Sequence, residues 1–400
     1  MEFLANNDTI DLAHIQTELM ETKKRKKYLE MHKYSVYEGK DGKWYTTLPD
    51  AEKGRRKVRR STKKEIQDIV IEFWKDQEEN PTIEELFNEW NDLRRDRKKI
   101  GNASHSRYAQ CFRRHFGEFG KKKIRSIEPE DIEDFLECEL SDKELTAKAF
   151  SLLKTITIGI LKRAKRRKFI SFNLSDLIDD LDVSDHDFRK SVKEDYQEVF
   201  DEEETSVFMQ YCLDNLDTKN TAILFMFVTG VRVGELVAIK HEDIKDETVL
   251  IRRTETKYEN SNGHGFIYEV KDFPKTKAGV REVVVPRDYW FLLSRMKALN
   301  PFGEYVFTDE SGKRITTNVI RRRQERRCKK LNIYRKSPHK VRKTVGTILF
   351  DEKLDNNFIT RQMGWVSSTT GETHYHRNRK SIDRKVDIIS EIPEFKIRNK

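Results

Sequence analysis

The spacing of hydrophobic and polar positions changes several times along the chain, and each change marks a different element. Residues 1–30 are polar, have a helical pattern and end in a basic run from Lys23 to Lys27. From Lys33 the period falls to two. Tyr34 to Tyr37, a turn from Gly39 to Gly42, Lys43 to Thr47 and then Arg55 to Arg60 predict three short strands, the third almost wholly basic. Helical spacing returns over 64–74, so 31–79 reads as a three-stranded sheet plus a helix, close to the smallest size that folds alone.

The next hundred residues, 81–182, carry only helical patterns. Thr82 with Glu85 forms a capping box, and further helices are predicted over 104–116, 130–139 and 143–167. Residues 179–187 are acidic without an apolar period, which places a linker at 183–200. From 201 to 385 the pattern is mixed: helices over 203–216 and 219–228, strands over 248–254, 266–270 and 280–286, and a turn at 273–279 holding Lys275 and Lys277. The apolar run 222–228 makes two buried helical turns and is too short to cross a bilayer. Residues 382–389 can form a short amphipathic helix leading into the tail 386–400. The fold class is therefore α+β and multidomain: a small sheet domain, a helical domain, and a mainly helical domain with a small antiparallel sheet.

Charge sharpens this picture. Charged residues make up 37% of the 400 positions and the net charge is +10, which suits a polyanionic partner. Three basic clusters, at 55–60, 162–168 and 321–330, each adjoin a structured segment, as expected for a chain that holds duplex DNA. Trp44, Arg55, Arg56, Lys57, Arg59 and Arg60 on the sheet and Arg163, Lys165 and Arg166 at the end of the long helix are the DNA-binding candidates, because a sheet can enter the major groove. Cys111, Cys138, Cys212 and Cys328 are scattered, with no Cys-x-x-Cys pair, and read as reduced packing residues. Residues 1–8 lack the basic and apolar regions of a secretory leader, so a cytoplasmic chain is expected. No acidic cluster has metal-ligand spacing, so no metal and no cofactor is expected.

The candidate chemistry begins at Thr229, Gly230, Arg232, Glu235 and Leu236, where an arginine follows the apolar run at a helix stop. A guanidinium can hold two phosphate oxygens at once, although pairing with Glu235 one turn on is an equally natural fate. Downstream, His339 and Arg342 lie three apart on one predicted helix face. Gly364 and Trp365 follow, and then Tyr375 between His374 and His376. These boxes, in this order, resemble the tyrosine recombinase (phage-type integrase) family. Its pattern is Thr-Gly-x-Arg-x-x-Glu-Leu, then His-x-x-Arg, then Gly-His/Trp, then a nucleophilic tyrosine. The 31–79 unit is similar to the arm-type DNA-binding domain of conjugative-transposon integrases, and 81–182 to the family's helical core-binding domain.

The resemblance implies a DNA breaking-rejoining fold in 201–385 and a site-specific recombinase that integrates and excises a mobile element. Tyr375 would attack a phosphodiester to leave a 3′-phosphotyrosyl link, with no ATP. Arg232 and Arg342 would stabilise the charged transition state, His339 would donate to the phosphate or accept the tyrosine proton, and Trp365 would donate its indole N–H. Glu235 supports Arg232. Lys275 is expected as general acid for the leaving 5′-oxygen, with Lys277 as the alternative, since Gly279 stands where the family pattern has serine. Trp365 to Tyr375 is one residue longer than usual, and Lys343 replaces a histidine often found after the second arginine. Double-stranded DNA with core-type and arm-type sites, a homotetramer on that DNA, and a DNA-bending or excision factor are the implied partners, with no membrane. An Xer-like resolvase, a type IB topoisomerase and a non-catalytic DNA-binding protein are the competing readings.

Overall fold

The apolar spacing resolves into elements whose ends are set by local hydrogen bonding. The structure, a computed structural model, describes residues 12–50, 54–179, 181–190, 193–260, 264–272, 277–380 and 382–392. The chain divides into two compact units, Met1–Lys190 and Ser191–Lys400.

The first unit opens with helix α1 (Leu12–Met31), followed by strands β1 (Tyr37–Glu38), β2 (Trp44–Asp50) and β3 (Gly54–Arg60), and helix α2 (Lys63–Glu79). The strands form an antiparallel sheet in the order β1-β2-β3. Alternation on β2 turns Thr46 and Leu48 inward, where Ile66 and Val70 of α2 are also buried. The Trp74 indole donates to His32 Nδ1, and His32 bonds Thr46 Oγ1 through its other nitrogen, at 3.2 and 2.7 Å. Helices α3 (Ile83–Asp96), α4 (Asn102–His115), α5 (Gly117–Lys121), α6 (Pro129–Asp142), α7 (Ala147–Arg166) and α8 (Leu174–Asp179) follow. The expected Thr82–Glu85 capping box starts α3. Helix α7 begins at Ala147 rather than at 143, because Thr146 caps it and accepts from the Ala149 amide.

The second unit starts earlier than residue 201. Helix α9 (Asp195–Glu198) precedes the fully buried Val199 and Phe200, whose amide donates to Thr344 Oγ1 at 2.8 Å. Then come α10 (Glu202–Asp214), α11 (Thr218–Thr229) and α12 (Val233–Leu236). Helix α12 lasts only one turn, since Ile239 onward bonds to the backbone around Tyr305 and Val306. The single strand expected over 248–254 is two, β4 (Thr248–Ile251) and β5 (Thr254–Glu259), which belong to different sheets. Strand β6 (Phe266–Lys271) pairs with β5, and β7 (Arg281–Val284) pairs with β4, both antiparallel. Helices α13 (Trp290–Ala298), α14 (Thr317–Lys330), α15 (Pro338–Asp351), α16 (Asn356–Met363), α17 (Ser368–His374) and α18 (Ile382–Ser390) complete the unit. Its core is built on α11, whose residues 220–227 are all buried. No helix among the described residues is long and apolar enough to cross a membrane.

Candidate active site

Two helix ends and one helix start set the geometry of the site. Helix α11 stops at Gly230, which takes a left-handed φ of 72° and donates its amide to Met226 O. A Cβ there would come within 2.7 Å of Met363 Sδ, so only glycine fits. Helix α16 ends the same way at Gly364, with φ 62°. Helix α15 starts with Ser337 and Pro338, which places His339 and Arg342 on one face of its first turn and a half.

Arg342 is completely buried. Its Nη1 donates to Gly230 O at 2.7 Å and its Nη2 to Met363 O, so the carbonyls closing α11 and α16 both accept from one guanidinium. Helix C-termini carry partial negative charge, and a buried cation there is favoured on that account. Burial, then the charge of Arg232, pushes its pKa down to about 10, which leaves it charged at neutral pH. Its Nε has no hydrogen-bond partner, and neither has the indole Nε1 of Trp365, which is 3% exposed. Two buried donors without acceptors are costly unless a ligand supplies the acceptors.

Arg232 caps α12, and 39% of its side chain remains exposed. Its Nη1 donates to Glu235 Oε1 at 2.7 Å, its amide to Glu235 Oε2 at 2.8 Å, and its Nη2 to Gly364 O at 3.4 Å. The pairing with Glu235 and a contact with the Gly364–Trp365 box therefore occur together. Glu235 is 2% exposed. Burial alone would raise its pKa, but Arg281, Arg342 and Arg232 together hold it down at about 2.

Tyr375 lies over Arg342, with the guanidinium carbon 5.7 Å from the ring centroid. Its ring also meets those of Trp365 at 4.7 Å and His339 at 5.5 Å. Thr347, fully buried on α15, fixes this position: its hydroxyl donates to Tyr375 O at 2.9 Å and accepts from the Arg377 amide at 3.2 Å. His339 is exposed in this structure, yet the protein packed around it, followed by the charges of Arg342, Lys343, Lys340 and Arg232, lowers its pKa to about 4. The imidazole is thus neutral and able to accept a proton. Lys343, where the family often has histidine, is turned away from this cluster and pairs with Glu198, as does Lys340. His376 bonds Asp351 at 3.2 Å.

The structure therefore brings Arg232, Glu235, His339, Arg342, Trp365 and Tyr375 together. Lys275 lies outside the described residues, and Lys277 opens the short turn Lys277–Gly279 that leads into β7. Sequence reasoning assigned no role to Arg281 or Gln362. Arg281 donates to both oxygens of Glu235, and Gln362 bonds the backbone of Thr229 and Val284. Both are buried polar residues, and Arg281 announces itself by sharing strand parity with Val283 and Val285.

In the first unit, Arg55, Arg56, Lys57, Arg59 and Arg60 are exposed along β3. Lys57 stands over the rings of Tyr45 and Tyr37, and Lys63 over Trp44. The Lys165 ammonium is held by Phe172 O, while Arg163, paired with Glu89, and Arg166 both line a cavity of about 510 Å³ with Arg94, Arg97, Lys99 and Lys162.

Residues 198–381 match the model of the Phage integrase family. No curated protein matches the sequence. Among solved structures, the Tn1549 transposon integrase in complex with transposon right end DNA is similar at 18% identity over 77% of this chain and 98% of that one, with a TM-score of 0.55. A lambda integrase dimer bound to a core site covers 87% of this chain and 97% of its own at 14% identity, TM-score 0.52. A lambda integrase tetramer bound to a Holliday junction covers 86% and 95% at 14% identity, TM-score 0.53. These likenesses establish a shared fold, and the match to the phage integrase family lies in residues 198–381, the segment that holds the converging arginines, histidine, tryptophan and tyrosine.

Proposed function

We propose that this chain is a site-specific recombinase that integrates and excises a mobile element, with Tyr375 as its nucleophile. The observation that carries the reading is the fully buried Arg342, with an unpartnered Nε, lying beneath the rings of Tyr375 and Trp365. A phosphodiester in that position would give the orphaned donors their acceptors, and the donors would act most strongly as negative charge grows on the phosphorus oxygens.

The Tyr375 hydroxyl gives its proton to neutral His339 as its oxygen bonds to phosphorus. The bond to the 5′-oxygen breaks, and a lysine from the 273–279 turn, Lys275 or Lys277, returns a proton to that oxygen. The 3′-phosphotyrosyl link keeps the ester's energy, so a 5′-hydroxyl from a second strand reverses the step and exchanges strands. The entering phosphate is itself anionic and draws the His339 pKa upward, so the imidazolium it forms is stabilised where it is needed.

The basic strand β3 and its aromatic neighbours would engage arm-type sites, while Arg166 and the surrounding cations would follow the core-site backbone. On α18 the apolar residues Val386, Ile388 and Ile389 are exposed, which suits docking on a second copy and assembly of a tetramer on two sites. Such a protein works on bacterial DNA in the cytoplasm, with a DNA-bending or excision factor as an additional partner.

The test uses duplexes selected by the full-length chain from a randomised pool and then nicked near the bound centre to trap cleavage. Wild type should form a denaturation-resistant adduct whose modified peptide contains Tyr375, and Tyr375→Phe should bind equally and form none. An adduct that persists in Tyr375→Phe would sink the assignment. Relaxation of any supercoiled plasmid without sequence preference would move the chain to the type IB topoisomerases.

A further inference from the structure

We propose that Arg281 is a positioning residue that fastens the lysine-bearing turn to the first arginine box and, through Glu235, sets the orientation of Arg232 toward the scissile phosphate. This rests on the recombinase reading above and adds to it a residue that touches neither DNA nor the nucleophile.

The geometry is a bridge with one carboxylate at its centre. Glu235 Oε1 accepts from Arg232 Nη1 at 2.7 Å and from Arg281 Nη1 at 3.2 Å. Its Oε2 accepts from the Arg232 amide at 2.8 Å and from Arg281 Nη2 at 2.9 Å. The two arginines thus share both oxygens of one anion. The Arg281 Nε, Nη1 and Nη2 all donate within the protein, whereas 39% of the Arg232 side chain is exposed, so of these two it is Arg232 that is open to a ligand.

The rest of the Arg281 fork reaches two further parts of the site. Its Nη1 donates to Gly279 O at 3.1 Å, the last residue of the turn that begins at Lys277. Its Nε donates to Gln362 O at 2.9 Å, near the end of the helix whose closing carbonyl holds Arg342. Gly364 lacks a side chain just where the fork passes, since a Cβ there would come within 2.8 Å of Arg281 Nη1. One side chain therefore touches the lysine turn, the first box and the tryptophan box.

Charge explains why an arginine is needed. Glu235 is buried, and a buried carboxylate stays ionised only with compensating cations. The charged groups around it are Arg232 on its own element, Arg281 on β7 and Arg342 on α15. Glu255 on the adjacent β5 is occupied by Arg314 and the Thr317 amide. With Arg281 gone, burial of Glu235 would be opposed only by Arg232 and the more distant Arg342, and a neutral carboxyl would release Arg232 from its fixed orientation.

The test compares Arg281→Ala and Arg281→Lys in the full-length chain on the selected nicked duplexes. Both should bind DNA within about twofold of wild type, because no DNA contact is lost, and both should form adduct about 10²-fold more slowly, the cost of a misplaced catalytic group. Millimolar guanidinium should restore much of the rate in Arg281→Ala and none in Arg281→Lys, whose site is filled. Wild-type adduct rates in both variants would overturn the proposal, as would loss of binding in step with loss of cleavage.

A second measurement needs no DNA. The ¹³C carboxyl signal of Glu235, identified by its absence in Glu235→Gln, should show no titration between pH 7 and 4 in wild type and should titrate within that window in Arg281→Gln, which removes the cation and keeps a polar side chain. An unchanged titration there overturns the bridge even if Arg281→Ala fails to fold. If wild type forms no adduct on any selected duplex, the recombinase reading falls, while this titration still decides whether Arg281 holds Glu235.

Discussion

Arginine is used in two opposite ways in this chain, on the sheet of the first unit and around Glu235 in the second. Along β3, Arg55, Arg56, Arg59 and Arg60 are exposed and neighbouring cations rest on aromatic faces. In the second unit, Arg342 and Arg281 are buried, and each bonds backbone carbonyls that end helices or turns. The exposed set can follow a phosphate backbone with little geometric demand, and its effect is screened by salt. The buried set has been desolvated during folding, so its interactions are strong and directional at the moment of reaction. On the recombinase reading the same side chain would supply affinity in one place and orientation in the other, with burial deciding which.

Substitutions should separate the two uses. The largest effect is expected from Arg342→Ala, which should slow adduct formation by about 10²-fold or more. It should also destabilise the fold by about 1–3 kcal/mol for each buried carbonyl left without a donor, at Gly230 and Met363, read as a lower melting temperature. Arg232→Ala should lose as much chemistry, again about 10²-fold, yet cost under about 1 kcal/mol of stability, because Arg232 is partly solvated and Glu235 keeps Arg281. Equal destabilisation by the two would erase the distinction between a buried and a half-exposed arginine.

Acidification should follow next. Glu235 and Glu198 are both held at about 2, so the stability they contribute is complete above the ordinary carboxylate value and lost as pH falls toward 2. His339 is held at about 4, below its ordinary 6.5, so the unfolded chain takes up that proton first and stability already declines between those values. The melting temperature should fall throughout this range, and His339→Asn should flatten only its upper part. The smallest effect belongs to Arg59→Ala: unchanged melting and cleavage, weaker binding to one class of site, and a salt slope reduced by about 0.9.

Most of the framework was legible because local rules and the global fold agree. Thr82 with Glu85, Gly230 after an apolar run, and Pro338 ahead of His339 are helix punctuation that acts within a few residues, and the helices begin and end there. His339 and Arg342 three apart could only share a face. The limits were equally physical. The stretch 248–254 reads as one run of strand-forming residues, and nothing local says that the pairing partner changes between Ile251 and Thr254. Arg281 was hidden by its type, since a charged residue in a strand is read as facing water. Its parity with Val283 and Val285 pointed inward, and a buried arginine calls for a buried acid, which Glu235 supplies 46 residues earlier. Glu198 lies in the 183–200 stretch that reads as linker, and its pairing with Lys340 and Lys343 depends on contacts more than 140 residues apart.

Gly230 and Gly364 have no functional group, yet both allow the backbone bends that bring two helix ends to one guanidinium. A screen that scores loss of recombination while filtering for soluble protein should therefore recover replacements at these two positions alongside those at charged residues. In this chain, tolerance to mutation around the buried guanidinium is limited by the room that a single hydrogen atom leaves.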